Sequence, residues 1–126
     1  MRGTESKVAA FLPLKPLETG VLLVLAERED YGYGIVKRLA EESAGGIRLA
    51  PSNLYYVLDR MLTAGLVAER LMAERTDPHA SAEVGRRGAY YRITALGRAT
   101  LAAEARRLTM VVSAARRLRL LPQHES

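Results

Sequence analysis

Apolar residues recur every three or four positions along LKPLETGVLLVLAERED, the spacing that gathers side chains on one side of an α-helix. Pro16 stands near the start of this segment, where proline suits the first turn of a helix. Leu22 and Leu23 widen the apolar side, and we therefore expect the helix to be buried on more than one side. The inward positions are Leu17, Val21, Val24 and Leu25.

A second amphipathic helix is predicted in YGYGIVKRLAEESAGG, after a break at Gly32 and Gly34. The two glycines that close the segment are typical of a helix end. Apolar residues predicted to face inward are Ile35, Val36, Leu39 and Ala40. Charged residues expected to face water are Lys37, Arg38, Glu41 and Glu42.

A third helix is predicted in LAPSNLYYVLDRMLTAGLV, because Pro51 suits its first position and Gly65 its end. Its core stripe consists of Leu54, Leu58, Met61 and Leu62. Tyr55 lies beside this stripe and is predicted to be half buried. The residues that point elsewhere are Ser52, Asn53, Tyr56, Asp59 and Arg60.

Two short β-strands separated by a long loop are predicted next. LVAERLMAER forms the first strand, and TDPHASAEVGRRG contains the residues that interrupt regular structure. In AYYRI the residues Ala89, Tyr91 and Ile93 share one side, and Tyr90 and Arg92 share the other. The pattern predicts a β-hairpin whose loop has a basic tip.

Thr94 is a good N-cap for a last helix, which is predicted to run to about Leu120. Its apolar positions are spaced alternately by four and three residues, as in a coiled-coil seam. A helix of about 26 residues is about 39 Å long, more than so small a domain can cover by itself. We therefore predict dimerisation through Leu101, Ala105, Leu108, Val112 and Ala115.

Charge is concentrated in the C-terminal part of the chain. The net charge is +5, yet the residues after Gly85 carry nine arginines against two glutamates. A basic half favours a polyanionic partner such as nucleic acid, although a solvated, Arg-rich helix gives the same composition. Four of these arginines are expected to flank the seam: Arg106, Arg107, Arg116 and Arg117.

Composition argues against several other classes of protein. At 126 residues we expect one globular domain, and no apolar run approaches the roughly 20 residues of a membrane span. The absence of cysteine removes disulfides and zinc–thiolate sites and fits a cytoplasmic protein. The chain has only two histidines, far apart in the sequence, so we expect no metal site. It has neither a nucleophile elbow nor a Gly-rich phosphate loop, so we expect neither an enzyme nor a cofactor site.

Three helices followed by a two-stranded hairpin is the element order of a winged helix-turn-helix domain. Three segments carry a sharper resemblance: YGYGIVKRL, LAPSNLYYVLDRMLTAGLV and GAYYRITALGRATLAAE. They resemble the Tyr-Gly pair, the Pro-x-x-Leu-Tyr helix start and the Tyr-x-x-Thr-x-x-Gly motif of the PadR family of bacterial transcriptional regulators. We expect a mainly α-helical fold with a small β-hairpin, divided into an N-terminal arm (1–14), a winged helix-turn-helix domain (15–93) and a dimerisation helix with a tail (94–126).

The resemblance implies a homodimeric repressor that binds double-stranded operator DNA and forms its dimer through the C-terminal helix. It also implies a small-molecule effector site near the dimer interface. We expect such a site in the apolar space between the last helices and the first helix, with Met110 and Val111 as candidate lining residues. The chain departs from the family at two points. Ala50 stands where many members have serine, and the chain has no tryptophan, which some compact members use to bind flat aromatic drugs.

A recognition helix needs an apolar back and a small polar front that enters the major groove. Ser52 and Asn53 meet this requirement near the helix start, and asparagine can pair with both N6 and N7 of adenine. Tyr55 fits two interpretations, core filler and phosphate contact. Arg86 and Arg87 at the hairpin tip are predicted to contact phosphates. The full predicted DNA-binding set is Ser52, Asn53, Tyr55, Tyr56, Arg60, Arg86, Arg87 and Lys37.

The main alternative function is a winged-helix protein–protein interaction module without sequence-specific DNA binding. The balanced charges of Asp59 and Arg60 permit this alternative, whereas the basic hairpin tip argues against it. Binding to long duplex DNA, with its dependence on salt, distinguishes the two functions.

Overall fold

The computed structural model describes residues 2–42, 51–71 and 89–122, which contain five helices and two strands. In chain order these are α1 (Arg2–Phe11), α2 (Pro16–Glu27), α3 (Gly32–Glu42), α4 (Pro51–Ala64), β1 (Val67–Leu71), β2 (Ala89–Ile93) and α5 (Ala95–Arg117). Within these ranges, no helix is both long and apolar enough to cross a membrane. The predicted order of elements from α2 onward is confirmed.

The core lies between α2, α3, α4 and the inner side of the hairpin. Leu22 of α2 is fully buried, as predicted, but Leu23 is half exposed, so the prediction for Leu23 was wrong. An α-helix turns by about 100° per residue, and Leu23 therefore points away from the arc that the buried residues of α2 share. Those residues are Gly20, Val21, Leu22, Val24 and Leu25.

Arg38 is buried in α3, so the prediction that it faces water was wrong, whereas Lys37 is exposed as predicted. The guanidinium of Arg38 donates to the carbonyl oxygen of Val24 at 2.8 Å. It also donates to the carboxylates of Glu27 at 2.8 Å and Asp30 at 3.1 Å. The hydrogen bond from Arg38 lowers the pKa of Glu27. These partners allow a charged group to be buried at low cost.

β1 and β2 pair antiparallel along their full lengths, with Val67 opposite Ile93 at the end nearest α5. The alternation predicted from AYYRI is confirmed, because the first, third and fifth residues of β2 are buried. Asp30, just before α3, makes two further backbone hydrogen bonds with Tyr91. The start of α3 is therefore attached to the hairpin.

α5 begins as predicted, with the Thr94 hydroxyl accepting a hydrogen bond from the Gly97 amide at 2.9 Å. It ends at Arg117, close to the predicted end. The sequence interpretation assigned no helix to the N-terminal arm, yet α1 forms there and packs against α5. Val8 of α1 is buried, as is Leu14 in the segment that follows it.

Candidate nucleic-acid interface

The candidate DNA-reading surface is the side of α4 that points away from the core. Leu54, Leu58 and Met61 anchor the opposite side, each with at most 1% of its surface exposed. The exposed residues are Asn53, Tyr56, Asp59, Arg60 and Thr63. Ser52 belongs to the first turn of α4, and its side chain lies outside the described part of the structure. α4 thus has the apolar back and polar front of a recognition helix.

The C-terminal end of α4 is fixed by a glycine turn. Gly65 has a φ of 83°, in the left-handed region, and the Leu66 amide donates to the carbonyl oxygen of Met61 at 2.9 Å. The Thr94 hydroxyl donates to the carbonyl oxygen of Gly65 at 2.6 Å. The Thr94 amide donates to the carbonyl oxygen of Leu66 at 3.1 Å. These hydrogen bonds fix the positions of α4, β1 and the start of α5 relative to one another.

Tyr55 connects the opening turns of α4 to the start of α3. Its side chain is only 6% exposed, and its ring lies against Gly32. A Cβ atom at Gly32 would sit 2.7 Å from the Cζ atom of Tyr55, so a larger residue there would push the ring away. The structure supports the core-filler interpretation of Tyr55. A contact between its hydroxyl and a phosphate stays a prediction.

Gly34 gives room to a second neighbouring side chain, that of Asp30. A Cβ atom at Gly34 would lie 2.5 Å from the carboxylate carbon of Asp30. This carboxylate accepts hydrogen bonds from the Tyr31 amide at 2.8 Å and from Arg38 at 3.1 Å. The two glycines of YGYG therefore lie within α3, where a break was predicted, and they let Tyr55 and Asp30 pack closely against the helix.

Tyr56 and Arg60 lie one turn apart on the exposed side of α4. The guanidinium carbon of Arg60 is 5.9 Å from the centre of the Tyr56 ring, and Tyr56 is 66% exposed. A nitrogen of Arg60 also lies 3.8 Å from the carboxylate of Glu18 in α2. The Arg60 side chain is 46% exposed, and at this separation its pair with the partly buried Glu18 contributes little to stability. Arg60 can therefore exchange Glu18 for a phosphate at low cost.

Of the other predicted DNA-binding residues, the structure describes only Lys37. Lys37 is exposed on α3, whereas Arg86 and Arg87 fall outside the described residues. Arg70 on β1 stands opposite Tyr90 on β2. Sequence reasoning did not identify Arg70, because the cross-strand register that pairs it with Tyr90 depends on the fold.

The predicted dimer seam lies on α5, where the rest of the chain covers it incompletely. Leu101, Leu108, Val112 and Ala115 are partly buried, and Ala105 is exposed. Nearby, Met110 is 73% exposed and Val111 is more than half exposed. Apolar side chains left open to water on a long helix are suited to contact with a second molecule.

Glu104 is a buried acid beside the seam that sequence reasoning missed. Its two oxygens accept hydrogen bonds from Arg107 at 2.9 and 2.7 Å, and it also accepts one from the Leu14 amide at 3.3 Å. The hydrogen bonds from Arg107 are the main cause that lowers the pKa of Glu104. Glu–Arg pairs at this spacing are common on solvated helices, so the spacing of Glu104 and Arg107 does not indicate burial.

A concave surface of about 380 Å³ opens between α2, α5 and the segment that follows α1. Leu23 and Leu108 contribute apolar walls, and the Glu104–Arg107 pair adds charge. Met110 and Val111, the predicted effector-site residues, do not line it.

Comparison with known proteins identifies related folds. The solved structure of a PadR-like transcriptional regulator from Bacillus cereus strain ATCC 14579 is 25% identical, with a TM-score of 0.64 over 86% of this chain and 93% of that one. A PadR family transcription regulator from Clostridium difficile R20291 is 18% identical, with a TM-score of 0.66 over 82% and 98% of the two chains. Bacillus subtilis PadR in complex with operator DNA is 23% identical, with a TM-score of 0.57 over 72% of this chain and 47% of that one.

Sequence comparison gives the family assignment. No protein of curated function matches this chain. The model of the "Transcriptional regulator PadR-like family" matches residues 21–103, from α2 into α5, which is well over half of the chain. The match includes all three family motifs: Gly32 and Gly34 of the first, Pro51 to Tyr55 of the second and Gly97 of the third. The chain therefore belongs to the PadR-like family of transcriptional regulators.

Proposed function

We propose that this regulator is a repressor that binds a palindromic DNA operator as a homodimer. The observation that carries the proposal is the exposed polar side of α4, which neighbouring contacts hold in place at both ends. The Gly65 turn fixes one end, and the packing of Tyr55 on Gly32 fixes the other. A related protein, Bacillus subtilis PadR, forms a complex with operator DNA, and we propose the same class of partner for this chain.

In the proposed complex, the N-terminal turns of α4 enter the major groove. The Asn53 amide donates to N7 of an adenine and accepts from its N6 amino group, a pairing that identifies the base. Tyr56 and Arg60 follow one and two turns later, and Ser52 lies at the helix start, where backbone amides favour a phosphate. Lys37, Arg86 and Arg87 contact the flanking backbone.

We propose that two copies associate through α5. The seam from Leu101 to Ala115 supports this assembly, because a second α5 would remove its incompletely covered apolar side chains from water. A two-fold dimer would place its α4 helices on half-sites one helical turn, or a multiple of it, apart. The operator is therefore expected to be an imperfect palindrome.

Oligomeric state is tested by light scattering after size-exclusion chromatography. The expected mass is twice the 13.9 kDa chain mass. Leu108→Glu places charges on the seam and is expected to give the monomer mass and to lose operator affinity. Ser113→Glu, which adds the same charge at an exposed position of α5 outside the seam, is the matched control and should stay dimeric. A wild-type monomer at micromolar concentration contradicts the dimer.

DNA binding is tested by selecting bound duplexes from a random pool and then measuring anisotropy on the selected sequence. A regulator should enrich a palindromic sequence and bind it much more tightly than unrelated duplexes. Its affinity should fall as salt rises, because phosphate contacts release counterions. A chain that enriches no sequence, and binds long duplexes no better in low salt, would instead be a protein–protein interaction module. Repression is then tested by in vitro transcription from a promoter that contains the selected operator.

We also propose that an apolar effector binds the concave surface between α2 and α5. Leu108 belongs both to this surface and to the predicted seam, so a ligand there would alter the dimer contact. Because the chain has no tryptophan, Leu23→Trp introduces a single fluorescent reporter on this surface. A naphthalene sulfonate dye is expected to quench it. Thr109→Trp, an exposed position outside the surface, is the control. Equal quenching of both reporters contradicts the site.

A further inference from the structure

Four side chains outside the predicted DNA-binding set form a continuous strip between α3 and the hairpin. The rings of Tyr33 and Tyr31 stack with centres 6.5 Å apart, and those of Tyr31 and Tyr90 lie 5.7 Å apart. The guanidinium carbon of Arg70 lies 5.3 Å from the centre of the Tyr90 ring. We call these four residues the aromatic strip.

The aromatic strip connects the two parts of the molecule proposed to contact DNA. At one end, the Tyr55 ring of α4 lies against Gly32, the residue between Tyr31 and Tyr33. At the other end, Arg70 and Tyr90 stand one position before the end of the ladder, where the chain continues into residues 72–88. A duplex that contacts both α4 and the described end of the hairpin would therefore pass beside the strip.

Tyr33 is the half-exposed ring of the strip. It lies in the first turn of α3 with 49% of its surface exposed while its ring stacks on Tyr31. Lys37 follows one turn later on the same side and is also exposed. A ring that stacking already holds in place loses little side-chain entropy on binding. Its hydroxyl can then donate to a phosphate oxygen.

We propose that Tyr33 is a further DNA contact, in which its hydroxyl donates a hydrogen bond to a backbone phosphate. This inference rests on the proposed function and extends the interface from α4 across the start of α3. Tyr31 and Tyr90 support the Tyr33 ring. Arg70 pairs with Glu29 and packs on Tyr90, so it is a positioning residue for the strip.

The test uses the full chain and its selected operator. Tyr33→Phe keeps the stacked ring and removes the hydroxyl. Affinity is expected to fall by about three- to tenfold on the operator and on unrelated duplexes alike, since a phosphate contact carries no sequence information. Tyr91→Phe is the matched control, because it removes a hydroxyl from a ring that lies outside the strip and is only 1% exposed, and it should bind as the wild type does. Thermal melts check that both variants fold.

Ethylation of single operator phosphates separates a direct contact from an indirect effect. Ethylation at a contacted phosphate weakens wild-type binding, and one such phosphate per half-site should lose its influence in Tyr33→Phe but keep it in Tyr91→Phe. An unchanged affinity and ethylation pattern in Tyr33→Phe overturns the inference, as does an equal loss in Tyr91→Phe. Either result leaves the proposed function intact. A wild-type chain that binds no duplex overturns the proposed function and this inference together.

Discussion

At the residue scale, Gly97 shows how a family motif acts through space rather than through chemistry. A Cβ atom at this position would collide with the carbonyl oxygen of Leu66 and lie 2.8 Å from Cγ1 of Ile93. The carbonyl group of Leu66 directly follows the Gly65 turn, and its oxygen accepts a hydrogen bond from the Thr94 amide. It therefore cannot move without disturbing the turn and the start of α5. Only glycine lets α5 approach the turn this closely.

Gly97→Ala is therefore expected to destabilise the fold by about 1–3 kcal/mol, because overpacking forces the backbone apart. Urea unfolding followed by circular dichroism measures the change. Ser113→Ala, an exposed change on the same helix, is the control and should stay within about 0.5 kcal/mol of the wild type. Equal stability of Gly97→Ala and the control would show that the turn can shift freely.

Glu104 predicts a specific dependence of stability on pH. Its pKa in the folded chain is below the ordinary value of 4.5, chiefly because Arg107 donates to it. The folded state therefore binds the proton less tightly than the unfolded state does. The stabilisation is complete above about pH 4.5 and disappears as the pH falls through the lowered pKa.

Glu104→Gln removes this titration and is expected to flatten the decline of unfolding free energy between pH 6 and pH 3. Urea unfolding at several pH values measures the difference between the wild type and the variant. Glu41→Gln changes an exposed acid on α3 and is the matched control. A decline as steep in Glu104→Gln as in the wild type would assign the acid sensitivity to other carboxylates.

At the scale of the element, α4 separates base reading from packing. Asn53→Ala is expected to cost about 1–3 kcal/mol of operator affinity and to relax the preference at one position of each half-site. Anisotropy titrations on the operator and on single-base variants measure both effects. If affinity and preference both persist, Asn53 does not read a base.

Tyr55→Phe should behave differently from Asn53→Ala, because its ring stays against Gly32. Its stability should remain within about 1 kcal/mol of the wild type. If its hydroxyl contacts a phosphate, operator affinity falls while the sequence preference is kept. If affinity is unchanged, the buried ring that the structure shows is its whole contribution.

The elements from α2 to α5 could be predicted because their apolar spacing and end residues agree. α1 could not, since few of its residues face inward and its partner, α5, is distant in sequence. Arg38 misled the prediction because a charged residue is ordinarily exposed, and only the fold brings Glu27 and Asp30 to it. For the candidate site, the spacing predicted the exposed side of α4. The strip around Tyr31 could not be predicted, because it depends on cross-strand register.

At the scale of the whole molecule, charge should act on binding in a way that does not depend on sequence. Replacing both Arg86 and Arg87 with alanine is expected to weaken binding to specific and non-specific duplexes by similar factors, because phosphate contacts carry little sequence information. The slope of log affinity against log salt should shrink by roughly 0.9 for each lost phosphate contact. Lys7→Ala, an exposed cation on α1, is the control. An unchanged slope would mean that the two arginines are simply solvated.

The close contacts at Gly32, Gly34 and Gly97 point into the molecule, whereas the outer side of α4 takes no part in them. The residues that mark the family can therefore stay fixed while the operator preference drifts. Two relatives with identical motifs can control unrelated genes, and motif similarity is a poor guide to shared targets. The exposed positions of α4 could likewise be exchanged as a block between relatives, which would transfer a DNA preference onto an unchanged scaffold.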